Sequence, residues 1–538
     1  MWRSLPLVLI LGMAAALRFR ALGAKVLWLD EVLSWRLLQF PLPELVRRTG
    51  GTGTVHPPFY FVLLRCWTTA WGDSELALRS LSAIFGVLTV AGVYTLVREL
   101  LRLPGTTGAA EVPEGRKRAA ASLAAVLVAL SPLQIHMARQ ARGYTLATAL
   151  LVWSSWCLLR ALRSKERRGT YWVACGLLTL ASCYTHYLAI FSAVALASFV
   201  PLYYFGPRGG ESPDSESPRP AGREQEPPPP RHLGHVAWPL AIALAVALGF
   251  LWWLPSLIDQ AVTVSAGSWQ PQLSLSRVTD ETYVAMFRTF ANRLPISPTS
   301  AGLTTVFLCA ALLWLLIRGG LGGRFLALAG SIPIDIMLLY STLFEPSLYY
   351  SRYLTFVQVA WLAALGLLLV RVPTSVGRLA WAMALVAASL FGCVISWDVI
   401  GPQANPGMRG AMAFVRDQRA HDEPIVAMGT AMFLESLYYT REESPPHILI
   451  TDVSALTNLK RSAHHRPDDA ILPKDLAARM PAGIWFVYRR EDTVRGQLAA
   501  SLPFTIGLIK SASFPQDYRW EGTVVVEYYR PDPAPRGQ

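Results

Sequence analysis

Two adjacent acids, Asp30 and Glu31, stand in Trp28-Leu29-Asp30-Glu31 just past the first apolar stretch, and His56-Pro57-Pro58 follows a short way on. A carboxylate can act as general base for a hydroxyl, which is a poor nucleophile until its proton is removed in the transition state. Two neighbouring carboxylates cannot both ionise cheaply in a low-dielectric pocket, so one stays protonated or a cation bridges the pair. Groups of the opposite sign lie far along the chain: Arg139, Arg142 and Arg352, with Tyr144, His186, Tyr187 and Tyr353 beside them. Guanidinium forks bind phosphate oxygens in pairs. Acids opposite several cations suit an anionic lipid head group held next to a base.

These residues lie where apolar runs end. Of 538 residues, 53% are hydrophobic and 16% charged, against about 25% charged in a soluble domain. Uncharged runs at 5–17, 119–133, 238–254 and 361–370 suit hydrocarbon. The pattern predicts a polytopic α-helical membrane protein with about 11 transmembrane helices. They fall at 5–24, 75–97, 119–137, 144–159, 171–187, 188–205, 236–257, 301–317, 325–344, 353–370 and 379–395. The apolar segment Phe59–Trp71 is left out, because it is short, carries Arg65 and starts at two prolines. It is expected to lie along the interface. With a cytoplasmic N-terminus, the basic clusters at 98–102, 116–118, 160–168, 318–324 and 371–378 then all fall inside. Asp30, Glu31, His56, Arg139, Arg142, Tyr144, His186, Arg352 and Tyr353 all fall at outer ends or in outer loops. An ionisable group at membrane depth costs about 2.5–3.5 kcal/mol on insertion scales, so such groups line a cavity with partners.

The transmembrane module is expected over 1–397, with outer loops at 25–74 and 258–298. A cytoplasmic loop at 206–235, rich in Pro, Ser, Glu and Arg, reads as disordered. From 398 to 538 the chain turns polar, with helical periodicity at 408–419 and strand-like runs at 425–428, 483–488 and 523–529. This is a small α/β extracytoplasmic domain, large enough to fold alone. It shows no nucleophile–base pair and no phosphate loop. The six cysteines carry no zinc spacing and no disulfide framework. The net charge of +13 sits mostly in short loops between spans, where it sets topology, and it is not a nucleic-acid signal. No small-x-small site follows the first span, which reads as an uncleaved signal anchor.

Taken in order, the chain shows Arg18, Trp28-Leu29-Asp30-Glu31, His56-Pro57-Pro58-Phe59-Tyr60, Gly72-Asp73-Ser74-Glu75 with Arg79, Arg139-Gln140-Ala141-Arg142-Gly143-Tyr144, Thr185-His186-Tyr187 and Ser351-Arg352-Tyr353-Leu354. This ordered set resembles the membrane glycosyltransferases of the C superfamily, in the branch that holds protein O-mannosyltransferases and the lipid A aminoarabinose transferase. The resemblance covers residues 1–360 and leaves the C-terminal region out. It implies transfer of a sugar from a polyprenyl-phosphate donor to a lipid, glycan or protein acceptor on the outer face. Asp30 takes the role of catalytic carboxylate, with Glu31 beside it. His56, Arg139, Arg142, Tyr144, His186, Arg352 and Tyr353 are the expected contacts of the donor phosphate. A single displacement by a base-activated hydroxyl would invert the anomeric centre. Some relatives bind a divalent cation here, for which Asp30, Glu31 and His56 are the candidate ligands, and others show no clear need for one.

The charge pattern fits a bacterial inner membrane. Two other functions stay open. A transporter or flippase of lipid-linked sugars is disfavoured, because no inverted repeat is detectable and the ionisable groups gather at one face. A non-catalytic relative would bind lipid-linked glycan. Singly, each residue also has a plainer reading. Asp30-Glu31 would be an interfacial turn, Arg139 and Arg142 residues snorkelling to lipid phosphates, His186 a helix end and Arg352-Tyr353 an interfacial anchor. Asp335, beside Pro333 in an apolar span, reads as the structural partner of a facing polar group.

Overall fold

A computed structural model of the chain describes residues 5–51, 56–107, 112–164, 166–206, 237–267, 272–292, 294–344, 347–420, 423–440, 445–449, 464–472, 475–476, 483–491, 506–518 and 521–531. Nearly all of the expected disordered loop at 206–235 lies outside them. The chain divides into two compact units, Met1–Phe19 with Ser82–Ile400, and Arg20–Leu81 with Gly401–Gln538. The boundary expected at 397/398 is therefore not the whole division. The first outer loop belongs with the C-terminal region, which no local sequence pattern reveals.

Helices are numbered α1–α20 in chain order. The first unit holds α1 (Leu5–Phe19), most of α5 (Glu75–Leu100), α6 (Glu114–Leu130), α7 (Pro132–Ala138), α8 (Tyr144–Arg163), α9 (Arg168–Cys183) and α10 (Ala189–Phe205). It continues with α11 (Ala237–Leu251), α12 (Leu254–Gly267), α13 (Leu275–Phe287), α14 (Pro298–Arg318), α15 (Gly320–Leu343), α16 (Thr355–Leu368), α17 (Ser375–Ile395) and α18 (Trp397–Ile400). Among the described residues, α5, α8, α14, α15 and α17 are long and apolar enough to cross a membrane. The pairs α6–α7 and α11–α12, each bent by 60°, bring the number to seven if each pair is one span. Apolar helices shorter than these are α1, α10 and Thr355–Arg371.

The first bend has a chemical cause. Pro132 has no N–H to continue the ladder, and the Ser131 side chain instead caps the Gln134 amide at 3.3 Å. The carbonyls of Val128, Ala129 and Leu130 thereby lose their helical partners. Arg18, fully buried, donates to Ala129 and Val128 at 3.2 Å each, and the Cys393 thiol reaches Leu130 at 3.0 Å. Small residues let the neighbouring helices close up. A Cβ on Gly366 of α16 would lie 2.5 Å from the Ala124 Cβ of α6. Buried amides tie the same helices together: Gln134 donates to Gln358 at 2.9 Å, and Gln358 donates to Ser131 at 2.8 Å. Asp335 is a correction to the sequence reading. It is exposed on α15 and makes no hydrogen bond or ion pair among the described residues.

The second unit holds α2 (Leu29–Leu38), α3 (Leu42–Thr49), α4 (Phe59–Trp71), α19 (Gly407–Gln418) and α20 (Thr430–Thr440). Its strands are β1 (Ile425–Ala427), β2 (His447–Leu449), β3 (Ala470–Ile471), β4 (Ile484–Arg489), β5 (Ile506–Pro515) and β6 (Thr523–Pro531). They form one sheet in the order β3-β2-β1-β4-β6-β5. The first four strands pair in parallel, with Val426 opposite His447 and Phe486, and β6 turns antiparallel to β4 and β5. Val426, Ile484 and Phe486 are fully buried in its core.

Candidate active site

In the helical unit, five of the residues expected to contact phosphate come together. Tyr144 starts α8, and His186 sits in the turn between α9 and α10. Their rings lie 4.9 Å apart. Phe356, at the start of α16, packs against both, 6.3 Å from Tyr144 and 5.0 Å from His186. Tyr353 is 6.2 Å from His186, and the Arg352 guanidinium lies 5.3 Å from the Tyr353 ring and 5.9 Å from that of Phe290. Arg142 is 7% exposed, and its carbonyl accepts the Ser82 hydroxyl at 3.1 Å.

The protonation of His186 follows from its surroundings. The ring is buried, with the Arg142 and Arg352 guanidinium groups near it. The Leu188 amide donates to Nδ1 at 3.3 Å, which places the remaining proton on Nε2. With Nδ1 accepting, the ring is a neutral hydrogen-bond donor through Nε2. Two guanidinium groups, an imidazole N–H and two phenols make a cluster of donors suited to phosphate oxygens.

Neighbouring helices hold the cluster in place. The Ser351 amide donates to Glu281 of α13 at 2.8 Å, and Tyr349 and Thr282 share a hydrogen bond of 2.7 Å. Tyr187 donates to Gln260 at 2.8 Å and accepts the Trp253 indole N–H at 2.9 Å, at the α11–α12 bend. Arg139 reaches the end of α1, donating to the carbonyls of Leu17 and Arg18 at 3.4 and 3.3 Å. An apolar cavity of about 530 Å³ runs between α9, α10 and α11, lined by Trp172, Cys183, Ile190, Tyr204 and Ile242 among others.

In the second unit, Asp30 and Glu31 occupy the first turn of α2, where a helix N-terminus favours negative charge. Their environments differ sharply. Glu31 is fully buried, and both its oxygens accept from Arg79, at 2.7 and 2.6 Å. Arg79 also donates to the carbonyls of Leu22, Lys25 and Val26 at 2.9–3.0 Å, so one guanidinium staples the whole approach to α2. Asp30 is half-exposed. The expectation of two acids competing for one proton or sharing a cation is thereby corrected, since a buried arginine compensates Glu31. A divalent cation on Asp30, Glu31 and His56 does not fit, because Glu31 has its oxygens committed to Arg79. Among the described residues no three His, Cys, Asp or Glu gather as a metal site.

The C-terminal residues complete the surroundings of α2. The Val26 amide donates to Asp517 at 2.8 Å, the Leu27 amide to the Tyr439 hydroxyl at 2.9 Å, and the Trp35 indole to Asp73 at 2.7 Å. Arg36 forks onto Asp469 at 2.7 and 3.0 Å. Behind α2 lies a buried acid pair. Glu435 accepts from Gln516 at 2.8 Å and faces Arg489 at 3.9 Å. Burial pushes the Glu435 carboxyl up to about 7. Burial and the Glu435 charge raise Glu521 well above the usual carboxylate range, with Arg489 and the Leu29 amide opposing.

Comparison with solved structures places this architecture. ArnT from Cupriavidus metallidurans, in the apo state, aligns over 98% of this chain and 98% of its own, with a TM-score of 0.59 and 11% identity. This is the glycosyltransferase-C fold. A second ArnT structure from the same organism, bound to undecaprenyl phosphate, aligns over 97% of this chain and 98% of its own, with a TM-score of 0.52 and 12% identity. An Archaeoglobus fulgidus oligosaccharyltransferase in complex with Zn and sulfate shares the glycosyltransferase-C fold over 93% of this chain and 70% of its own, at a TM-score of 0.51 and 13% identity. No family model and no curated protein matches the chain.

Several residues of the site escaped the sequence reading. Arg79 was visible only as part of a motif, with no sign that it neutralises Glu31. Gln358 had no signal beyond being a polar group within an apolar segment, which is itself a reason to look for a buried partner, and Glu281, in the polar helix α13, had none.

Proposed function

We propose that the chain is a membrane glycosyltransferase that moves a sugar from a polyprenyl-phosphate donor to a hydroxyl acceptor on the extracytoplasmic face. The observation that carries this reading is the donor cluster of Arg142, Tyr144, His186, Arg352 and Tyr353 in a chain with the glycosyltransferase-C fold. Arginines of this cluster hold the lipid phosphate and stabilise its charge as the glycosidic bond breaks, so the leaving group needs no proton. His186 contributes a neutral N–H, and Arg139 and His56 are assigned to the same substrate. The apolar cavity between α9, α10 and α11 suits an isoprenoid chain.

Asp30 is the base that takes the acceptor proton. Glu31 keeps its place beside it as a positioning residue, paired with Arg79. Attack by the activated hydroxyl from the face opposite the phosphate inverts the anomeric centre. Eleven spans, an N-terminus in the cytoplasm and an extracytoplasmic C-terminal region in a bacterial inner membrane fit the distribution of basic loops. The ArnT structure of similar fold that is bound to undecaprenyl phosphate supports a lipid of this class as the donor's carrier.

The test uses purified full-length protein, a labelled undecaprenyl-phosphate sugar and an envelope extract as acceptor source. Asp30→Asn is expected to lower transfer by about 10²–10⁴-fold while donor affinity is retained. Arg142→Ala and Arg352→Ala are expected to weaken undecaprenyl phosphate binding by about tenfold or more each. Unchanged transfer in Asp30→Asn removes the base, and a product with retained anomeric configuration makes Asp30 a nucleophile.

A further inference from the structure

The unit formed by Arg20–Leu81 and Gly401–Gln538 contains an open cleft of about 590 Å³ that the donor chemistry does not use. Its walls are the 73–75 turn at the start of α5, one face of α19 and the end of α20. Arg409, Met412, Arg416 and Arg419 fall on one face of α19 and beyond it, at helical spacing, while Tyr438 and Tyr439 close the other side. The volume lies in the range of small-molecule sites, about 300–1,000 Å³, which pair apolar surface with a few convergent polar groups.

The charges on the walls do not balance. Three guanidinium groups and two carboxylates line the cleft; both carboxylates are engaged, and so are two of the arginines, Arg409 by Glu75 and Arg419 by the Glu423 carbonyl at 2.6 Å. Asp73 accepts the Trp35 indole N–H at 2.7 Å, and its carbonyl accepts the Tyr438 hydroxyl at 3.0 Å. Glu75 takes the Arg409 guanidinium at 2.8 Å, which also donates to the Ala24 carbonyl at 3.0 Å. Among the described residues Arg416 has only the adjacent Asp417, at 3.8 Å, and the two side chains are 61% and 72% exposed. Such an exposed pair contributes little, so Arg416 stays available to a ligand. The cleft thus offers a positive rim, phenol rings, and Met412 and Ile425 as an apolar floor. That is the chemistry that recognises a sugar ring bearing an anionic group.

We propose that this cleft binds a saccharide carrying a phosphate or carboxylate group, with Arg416 as the main contact of the anion. Its role as the acceptor site rests on the transferase reading; the binding itself does not. On that reading the Gly72-Asp73-Ser74-Glu75 turn serves as one wall of the acceptor cleft.

The experiment titrates full-length protein in detergent by calorimetry with mannose 6-phosphate, trigalacturonate and uncharged mannotriose. At least one charged probe is expected to saturate, with mannotriose about tenfold weaker or worse. The response to the phosphate and carboxylate probes tells which anion is preferred. Arg416→Glu is expected to weaken the charged probe by about tenfold or more, the loss of one charge-assisted contact, with Arg416→Lys in between. Undecaprenyl phosphate binding should be the same in all three proteins. Absence of saturable binding of either charged probe, equal binding by mannotriose, or an unchanged affinity in Arg416→Glu would overturn the proposal. Arg416-dependent sugar binding in a protein that shows no donor turnover would leave the cleft standing and remove the transferase reading; the opposite result would do the reverse.

Discussion

The Arg79–Glu31 pair is the sharpest target for perturbation. Its partners are 3% and 0% exposed and 2.6 Å apart, and Arg79 also holds the carbonyls of Leu22, Lys25 and Val26. Replacing Arg79 with Met leaves a buried, uncompensated carboxylate and releases three carbonyls. Breaking a buried pair from one side costs about 3–5 kcal/mol. In a unit of about 150–250 residues, 1 kcal/mol moves Tm by about 2–4 °C, so Arg79→Met should lower it by about 6–20 °C. Glu31→Gln should cost less, because Arg79 keeps its three carbonyl acceptors and an amide oxygen in place of the carboxylate. The double variant Arg79→Met with Glu31→Gln should not recover to wild type, since the carbonyls remain unpaired. Thermal melting of the full chain in detergent, followed by tryptophan fluorescence, reads this directly, because Trp28 and Trp35 are both buried beside the pair. An Arg79→Met protein melting within about 2 °C of wild type, under 1 kcal/mol by the same conversion, would refute the view that this arginine anchors the approach to Asp30.

Three further outcomes are expected. Gly366→Ala places a Cβ 2.5 Å from the Ala124 Cβ and 2.7 Å from its backbone nitrogen, and should destabilise the helical unit by about 1–3 kcal/mol, measured as a fall in Tm. Glu435 and Glu521 have folded carboxyls raised above the unfolded value. Their neutral forms therefore favour folding below about pH 4.5, and that advantage is lost as pH rises toward about 7 through ionisation of the unfolded chain. Glu521→Gln should flatten this fall and raise Tm at neutral pH, as a pH series of melts would show. Because Nδ1 of the buried His186 accepts the Leu188 amide, which keeps the ring neutral, His186→Asn should leave the shape of the pH profile of donor binding between about pH 5 and 8 unchanged; a lost inflection near 6.5 would contradict the assignment.

Local patterns in the sequence carried much of the helical architecture. The segment at 59–71 and the spans at 75–97, 144–159, 301–317, 325–344 and 379–395 all fall on helices, because apolar runs of that length have few alternatives. The strand-like runs at 425–428, 483–488 and 523–529 coincide with β1, β4 and β6, whereas β2, β3, β5 and α20 lacked clear alternation or caps. What the sequence could not carry was set by contacts of long separation. The Val26 amide finds Asp517, Arg36 finds Asp469 and Arg79 finds Glu31, and none of these pairs has a spacing that marks it. The bend at Ser131-Pro132 was legible in principle from the proline, yet its effect depended on Arg18, more than a hundred residues earlier. Arg142, Tyr144, His186, Arg352 and Tyr353 were legible because each stands at the end of an apolar run; Glu281 stands inside a polar helix and gave no such cue.

The guanidinium of Arg18 has a consequence for how the chain is made. Its acceptors on Val128 and Ala129 lie 110 and 111 residues downstream. At about 5–20 residues per second of synthesis, α1 exists for about 5–20 s before those carbonyls leave the ribosome. During that interval its charged end has no built resting place, and water, lipid head groups or the insertion machinery must shelter it. Nascent α1 is therefore a waiting segment, and its final seating becomes a late event timed by the arrival of the third apolar run.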